Sequence, residues 1–218
     1  MDMNIYVAFG IFGIISSLLA SLADVPLVKP GKPKPEEKLS LNGVNPWWAD
    51  VSPKRFQVSF WLSFLGQPGG YITMWLLADL IARENETLAL VLRVNTFIGC
   101  YIGLLCHVVY CMKPLLYQKL SKKMSDSESL EVIKAIDPMI KVPMVIGFLS
   151  LWLGGTIIMI IAVVTGALAV PMVCVLLNPI VALLVLMVVK KCGIRITGSL
   201  GVGFMLFSIL LIIAGINV

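Results

Sequence analysis

Hydrophobic residues along this chain gather in long blocks separated by short polar connections. Six apolar stretches, at 5–28, 56–81, 88–112, 139–164, 168–189 and 196–218, are each long enough for a bilayer-crossing helix, which takes ~20 residues. The third stretch carries the least membrane-like residues. Asn95, Gly99, Gly103, His107 and Cys111 recur there every four positions and form one slowly drifting stripe on a helix. The small pair Gly99 and Gly103 allows a neighbouring helix to approach closely, while Leu92, Leu104, Leu105, Val108 and Val109 cover the other faces. The pattern predicts an all-α, polytopic membrane helix bundle of six transmembrane helices, one integral membrane domain over 1–218, with the third helix at its centre.

Local signals refine this outline. The first stretch has a small-residue face at Gly10, Gly13, Ser16, Ser17, Ala20 and Ser21. Ser21-Leu22-Ala23 also resembles a leader cleavage site, but Met1 to Asn4 carries no positive charge, so the segment reads as a span. Lys29 to Pro35 alternates lysine and proline and favours extended backbone. Trp47 and Trp48, just ahead of the second stretch, read as a membrane-interface anchor, with ligand stacking as the alternative. In that second stretch Ser59, Ser63 and Gln67 fall at successive i+4 positions, and Gly66, Gly69 and Gly70 surround Pro68, which predicts a kink or local unwinding. Arg93 snorkels or pairs with Asp79 or Glu84. Asn85-Glu86-Thr87 has the form of a glycosylation site but lies too near the membrane to weigh much. Ser125-Asp126-Ser127-Glu128 has capping-box form, and Leu130, Ile133 and Ile136 share a face, which predicts a short interfacial helix. A turn is expected at Thr165-Gly166-Ala167. Asn178-Pro179 interrupts the fifth stretch, and Gly198, Gly201 and Gly203 open the sixth.

Composition agrees with a membrane protein. Hydrophobic residues make up 59% and charged ones 13%, with a mean hydropathy of +0.96, which excludes an ordinary soluble domain. The basic excess, 17 Lys and Arg against 12 Asp and Glu, suits orientation and anionic lipid rather than nucleic acid. All basic residues except Arg83 and Arg93 lie in or beside the connections 29–55, 113–138 and 190–195. The positive-inside rule makes those connections cytoplasmic and places both termini on the non-cytoplasmic side of a cell membrane. Cys100, Cys106, Cys111, Cys174 and Cys192 form no paired motif and read as free, small apolar residues.

Chemistry is sparse. There is no nucleophile motif, phosphate loop or metal-ligand spacing, and no cofactor is implied. One constellation stands out. Asp24 precedes Lys29 by five residues and His107 precedes Lys113 by six, so both sit within roughly 7–9 Å of those lysines and share a depth. Arg55 enters on the same side. These three, with Gln67 and Asn178, form a candidate polar cavity, since ionisable groups in a membrane turn towards interiors. The alternative is structural: Asp24 bonded to Arg55 or backbone, His107 satisfied within the bundle, and Asn178 covering a carbonyl freed by Pro179.

Ala23-Asp24 closing the first span, Trp48 and Arg55-Phe56 opening the second, Gly66 with Pro68-Gly69 inside it, and His107 late in the third carry a resemblance. They resemble a family of uncharacterised bacterial multi-pass membrane proteins, a domain of unknown function, over roughly the first half of the chain. The resemblance supports Asp24, Arg55 and His107 as a group and implies no activity. The leading functional expectation is a protein that moves or senses a small solute, proton or lipid through a cytoplasm-facing cavity. An intramembrane enzyme on a lipid-like substrate, with His107 as base, ranks lower for want of a nucleophile. A structural subunit packing through its glycines is the third class. The expected partners are the bilayer and a small solute or lipid ligand, with homo- or hetero-oligomers compatible.

Overall fold

A computed structural model describes residues 4–28, 46–192 and 199–217. The Lys29–Pro35 segment, Lys38, Arg195 and Val218, which enter the charge and topology expectations, lie outside the described residues.

The described chain is helical throughout. Helix α1, Ile5–Ala23, is capped by the Asn4 side chain, and α2 is the single turn Val25–Val28. After a 3-10 turn at Pro46–Asp50 comes α3, Lys54–Ala82. It stays helical through Pro68, so no unwinding occurs at the glycine cluster. Helix α4, Glu86–Leu120, starts on an Asn85 cap and runs through Lys113 and Pro114, beyond the apolar stretch. Its 35 residues span about 52 Å, well over the ~30 Å hydrocarbon core of a bilayer. Helix α5, Asp126–Lys134, is the short amphipathic helix predicted from its capping box: Ser125 and Glu128 satisfy one another's backbone. Helix α6, Asp137–Phe148, passes through a π-helical turn, Leu149–Gly154, into α7, Gly155–Val164. The chain turns at Gly166, the one described residue in the left-handed region, at φ 76°, a conformation glycine adopts without strain. Helix α8, Pro179–Lys191, follows a 3-10 turn, and α9 is Ser199–Ile216.

Three of these stretches are long and apolar enough to cross a membrane: Ile5–Val28, Glu86–Leu120 and Asp137–Val164. Helix α8 has 13 residues, about 20 Å, because the fifth apolar stretch spends its first half on turns. Helix α3 is long enough, but Gln57, Gln67, Pro68 and its glycines dilute its hydropathy. Large apolar side chains nevertheless face outward on α3 and α4 alike, among them Trp61, Leu65, Trp75, Leu90, Phe97 and Tyr101. A water-soluble fold hides such a surface.

The helices pack in a ring. Helix α3 lies between α1 and α4, α4 carries α6 and the π-turn, and α9 packs on α1, α3 and α8. The principal helix contacts thus centre on α3 as much as on α4, because glycines let α1 and α9 close onto α3. A side chain at Gly66 would meet the backbone of Ala20 and, at 2.7 Å, the Ser16 carbonyl; one at Gly70 would meet the Phe204 ring at 3.0 Å. The stripe on α4 changes partner as it drifts. Asn95 bonds Ser150 of the π-turn and Gly99 faces Leu151, whereas Gly103 faces Tyr71 and His107 faces Ser59, both on α3. Helix α1 has its principal contacts with α3 and α9 and not with α4.

Two apolar cores result. One joins Met74, Leu77 and Ile81 of α3 to Leu92, Met159, Leu168, Phe207 and Leu210. The other, at the opposite end of α3, joins Leu27, Trp47, Trp48, Phe56, Cys111, Tyr117 and Ile133.

Candidate functional site

The site begins with a broken helix. Pro26 cannot donate a backbone hydrogen bond, so α1 ends at Ala23 and the chain restarts as α2. The amides of Leu27 and Val28 turn to the Asp24 carbonyl, which leaves the carbonyls around the break for other groups. Ser59 Oγ donates to Ala23 O at 2.6 Å, Arg55 Nε to Pro26 O at 2.7 Å, and Trp48 Nε1 to Leu27 O at 3.4 Å. Buried carbonyls need such partners. Arg55, Ser59 and Trp48 thus hold the break, and the break turns Asp24 inward.

Beyond it lies a cavity of about 540 Å³ between α1, α3, α4, the α6 and π-turn segment, and α9. Its walls are mostly apolar, with Leu27, Ile102, Leu151, Trp152 and Phe204 among them, and carry polar groups in two places. At one end are Asp24, His107 and Lys113. Asp24 Oδ1 lies 3.9 Å from His107 Nδ1, too long for a hydrogen bond. Lys113, 4% exposed, forms an ion pair with Asp137 and lies over the Tyr110 ring at 5.2 Å. Deeper in, Tyr71 donates to Gln67 Oε1 at 2.9 Å and Gln67 in turn to Ser63. Ser17, also on the wall, is buried, and its hydroxyl has no partner among the described residues.

The imidazole orientation follows from its neighbours. His107 Nε2 faces Ser59 Oγ and Ser59 O, each at 3.4 Å. The single hydroxyl hydrogen of Ser59 is committed to Ala23 O, so Nε2 meets only acceptors there and carries the hydrogen. Neutral His107 then presents the Nδ1 lone pair towards Asp24.

Of the residues singled out from the sequence, Asp24, His107 and Gln67 line this cavity. Arg55 does not line it. Its guanidinium is turned to the Pro26 carbonyl and the Trp47 ring, 5.0 Å from the centroid; partial burial draws its pKa below the ordinary value, though an arginine stays protonated. Asn178 stands apart: it caps α8, accepting from Ile180 N and Val181 N and donating to Val175 O. The expected interface anchor also needs correction. Trp47 and Trp48 are each 4% exposed and pack inside the chain on Phe56 and Tyr117, because the broken helix needs an apolar cover and a donor there. The outward tryptophans are Trp61 and Trp75. Sequence reasoning passed over Tyr71 and Lys113. Tyr71 continues the i+4 series of Ser59, Ser63 and Gln67, so the signal was present; Lys113 looked like a membrane-end lysine, and only its partner Asp137 reveals it.

At the other end of α3, Asp79 pairs at 2.7 Å with Arg93 of α4, so it is the one of the two foreseen partners that Arg93 takes.

No curated protein and no solved structure matches the chain. One family does, and it covers residues 1–217, so the likeness read from the first half extends over nearly the whole chain. With its broken first helix and polar-ended cavity, the chain belongs to the Family of unknown function (DUF6796).

Proposed function

We propose that this chain is a six-span membrane protein that takes a small solute or lipid into a cavity open to the cytoplasmic side, for transport or sensing. The cavity among α1, α3, α4, α6 and α9 is the observation that carries the reading. Its volume falls within the ~300–1,000 Å³ of small-molecule sites, and its apolar walls with a few convergent polar groups are the usual make-up of such sites. The polar end lies beside Lys113, in the half that the positive-inside rule assigns to the cytoplasm. The other side is filled by the Met74, Leu77 and Phe207 core, and the Leu27, Trp48 and Phe56 core packs beside the polar end, so entry is proposed along the flank of the polar half. Helix α6 packs on α4 and α5, and its principal contacts include neither α1 nor α9, which leaves that flank for entry. The accessibility of Met144, on the cavity wall, tests this. In a chain with serines in place of its cysteines, Met144→Cys should react with a charged thiol reagent only from the side bearing Lys122. Reaction from the opposite side, or from neither, would overturn the reading.

The enzymatic alternative gains one observation: Ser59, His107 and Asp24 stand in the order of a nucleophile, base and orienting acid. Ser59 is fully buried, however, and its hydrogen is held by Ala23 O, so no substrate carbonyl reaches it. A serine-directed fluorophosphonate should leave Ser59 unmodified.

A further inference from the structure

We infer that the ligand of this cavity carries an ammonium group on an apolar body, with its N–H hydrogens bridging the Asp24 carboxylate and His107 Nδ1. The inference rests on the solute-binding reading and names the class of solute. Asp24 and His107 present two acceptors on the cavity wall, 3.9 Å apart, with no protein donor between them among the described residues. A proton shared directly would draw such a pair to roughly 2.7–2.9 Å. The observed gap is nearer the span that one nitrogen bridges with two such bonds.

The charges point the same way. Among the described residues Lys113 is the lysine or arginine that lines the cavity, and Asp137 already neutralises it. Arg55 is turned to the Pro26 carbonyl and the Trp47 face. The Asp24 carboxylate, with 26% of its side chain open, is therefore the charge left for a ligand to match. Among the described residues no unpaired cation lines the cavity beside Asp24 for an anionic head to meet, and a neutral head would leave the carboxylate unmatched in an apolar setting. Trp48, Tyr110, Trp152 and Phe204 are on the walls; aromatic faces attract an ammonium and accept an apolar body.

The test uses the full chain in lipid nanodiscs and three compounds with one shared body: adamantylammonium, adamantanol and adamantanecarboxylate. Calorimetric titration should find adamantylammonium bound about tenfold or more tightly than the alcohol, a difference of about 1.4 kcal/mol, and the carboxylate weakest. Asp24→Asn should abolish that preference and leave the alcohol's affinity unchanged. Should Asp24→Asn fail to fold, His107→Gln should reduce the preference, and the comparison of heads on the unaltered chain still decides. Alcohol or carboxylate binding as tightly as the ammonium, or a preference that survives Asp24→Asn, would overturn the ammonium assignment while leaving a solute-binding cavity. If none of the three binds, the assignment fails as well. A silent Met144→Cys would then show that the cavity reading itself had failed.

Discussion

The two halves of α3 are built for different tasks. From Thr73 to Ala82 the inward positions include Met74, Leu77, Ala78 and Ile81, all fully buried, in one core with Phe207, Leu210 and Leu211. From Phe56 to Gly70 the inward positions include Ser59, Ser63, Gly66, Gln67 and Gly70, and there the bundle holds a cavity. Small and polar side chains on the first half cannot fill the volume that leucine and methionine fill on the second. Serine and glycine also let α1 and α9 close onto α3, so the space left over faces α4 and α6. One helix thus fills the bundle along one half and leaves a cavity along the other, by changing what it presents every fourth residue.

Packing variants can break this contrast. The largest effect is expected at Gly66. Leucine there would collide with the backbone of α1 at Ser16 and Ala20, and Gly66→Leu should yield little monodisperse protein in size-exclusion chromatography. Gly103→Ala should be tolerated, because its added methyl meets only the far end of Tyr71, at 3.1 Å. Next come the two ends themselves. Phe207 is fully buried, and Phe207→Ala should cost about 3–5 kcal/mol in a denaturant unfolding series. Phe148, on the cavity wall and 41% exposed, stacks on Trp152, and Phe148→Ala should cost about 1 kcal/mol, the worth of an aromatic pair. Equal losses at the two positions would remove the distinction between a filled half and one that holds a cavity.

The smallest effect is expected at helix α5. Bonds from Ser125 hold the Glu128 carboxyl below its ordinary pKa of 4.5. A carboxylate with a lowered folded value contributes stability above its unfolded pKa and loses it as pH falls through the folded value. The helicity of α5 should therefore decline slightly in acid below that point, and Ser125→Ala should produce the same decline at neutral pH and remove the acid step, as read by circular dichroism.

Much of the architecture was legible along the chain because bilayer-length apolar blocks, prolines and capping residues act locally. The capping box at Ser125 and Glu128, the turn at Gly166 and the break at Asn178-Pro179 each depend on a few consecutive residues. The common depth of Asp24 and His107 followed from counting helical rise to a lysine. The site's composition was only half legible. Arg55 and Trp48 looked like an ionic partner and an interface anchor, yet they serve the carbonyls that Pro26 sets loose. That role exists only once α3 lies against α1. Lys113 resembled an interfacial lysine until Asp137 came beside it across the start of α6.

What the sequence by itself determined is therefore helicity, the apolar length of the stretches and the breaks at proline, since each is set by short-range chemistry. What only the tertiary structure decided is which helix closes on which, and so whether a polar residue is spent on a backbone carbonyl or left facing a cavity. The helical repeat that turns the Asn95-to-Cys111 stripe from the π-turn to α3 is written in the chain. The neighbours it meets are chosen by glycine and proline contacts between helices far apart in sequence, and no local pattern records them.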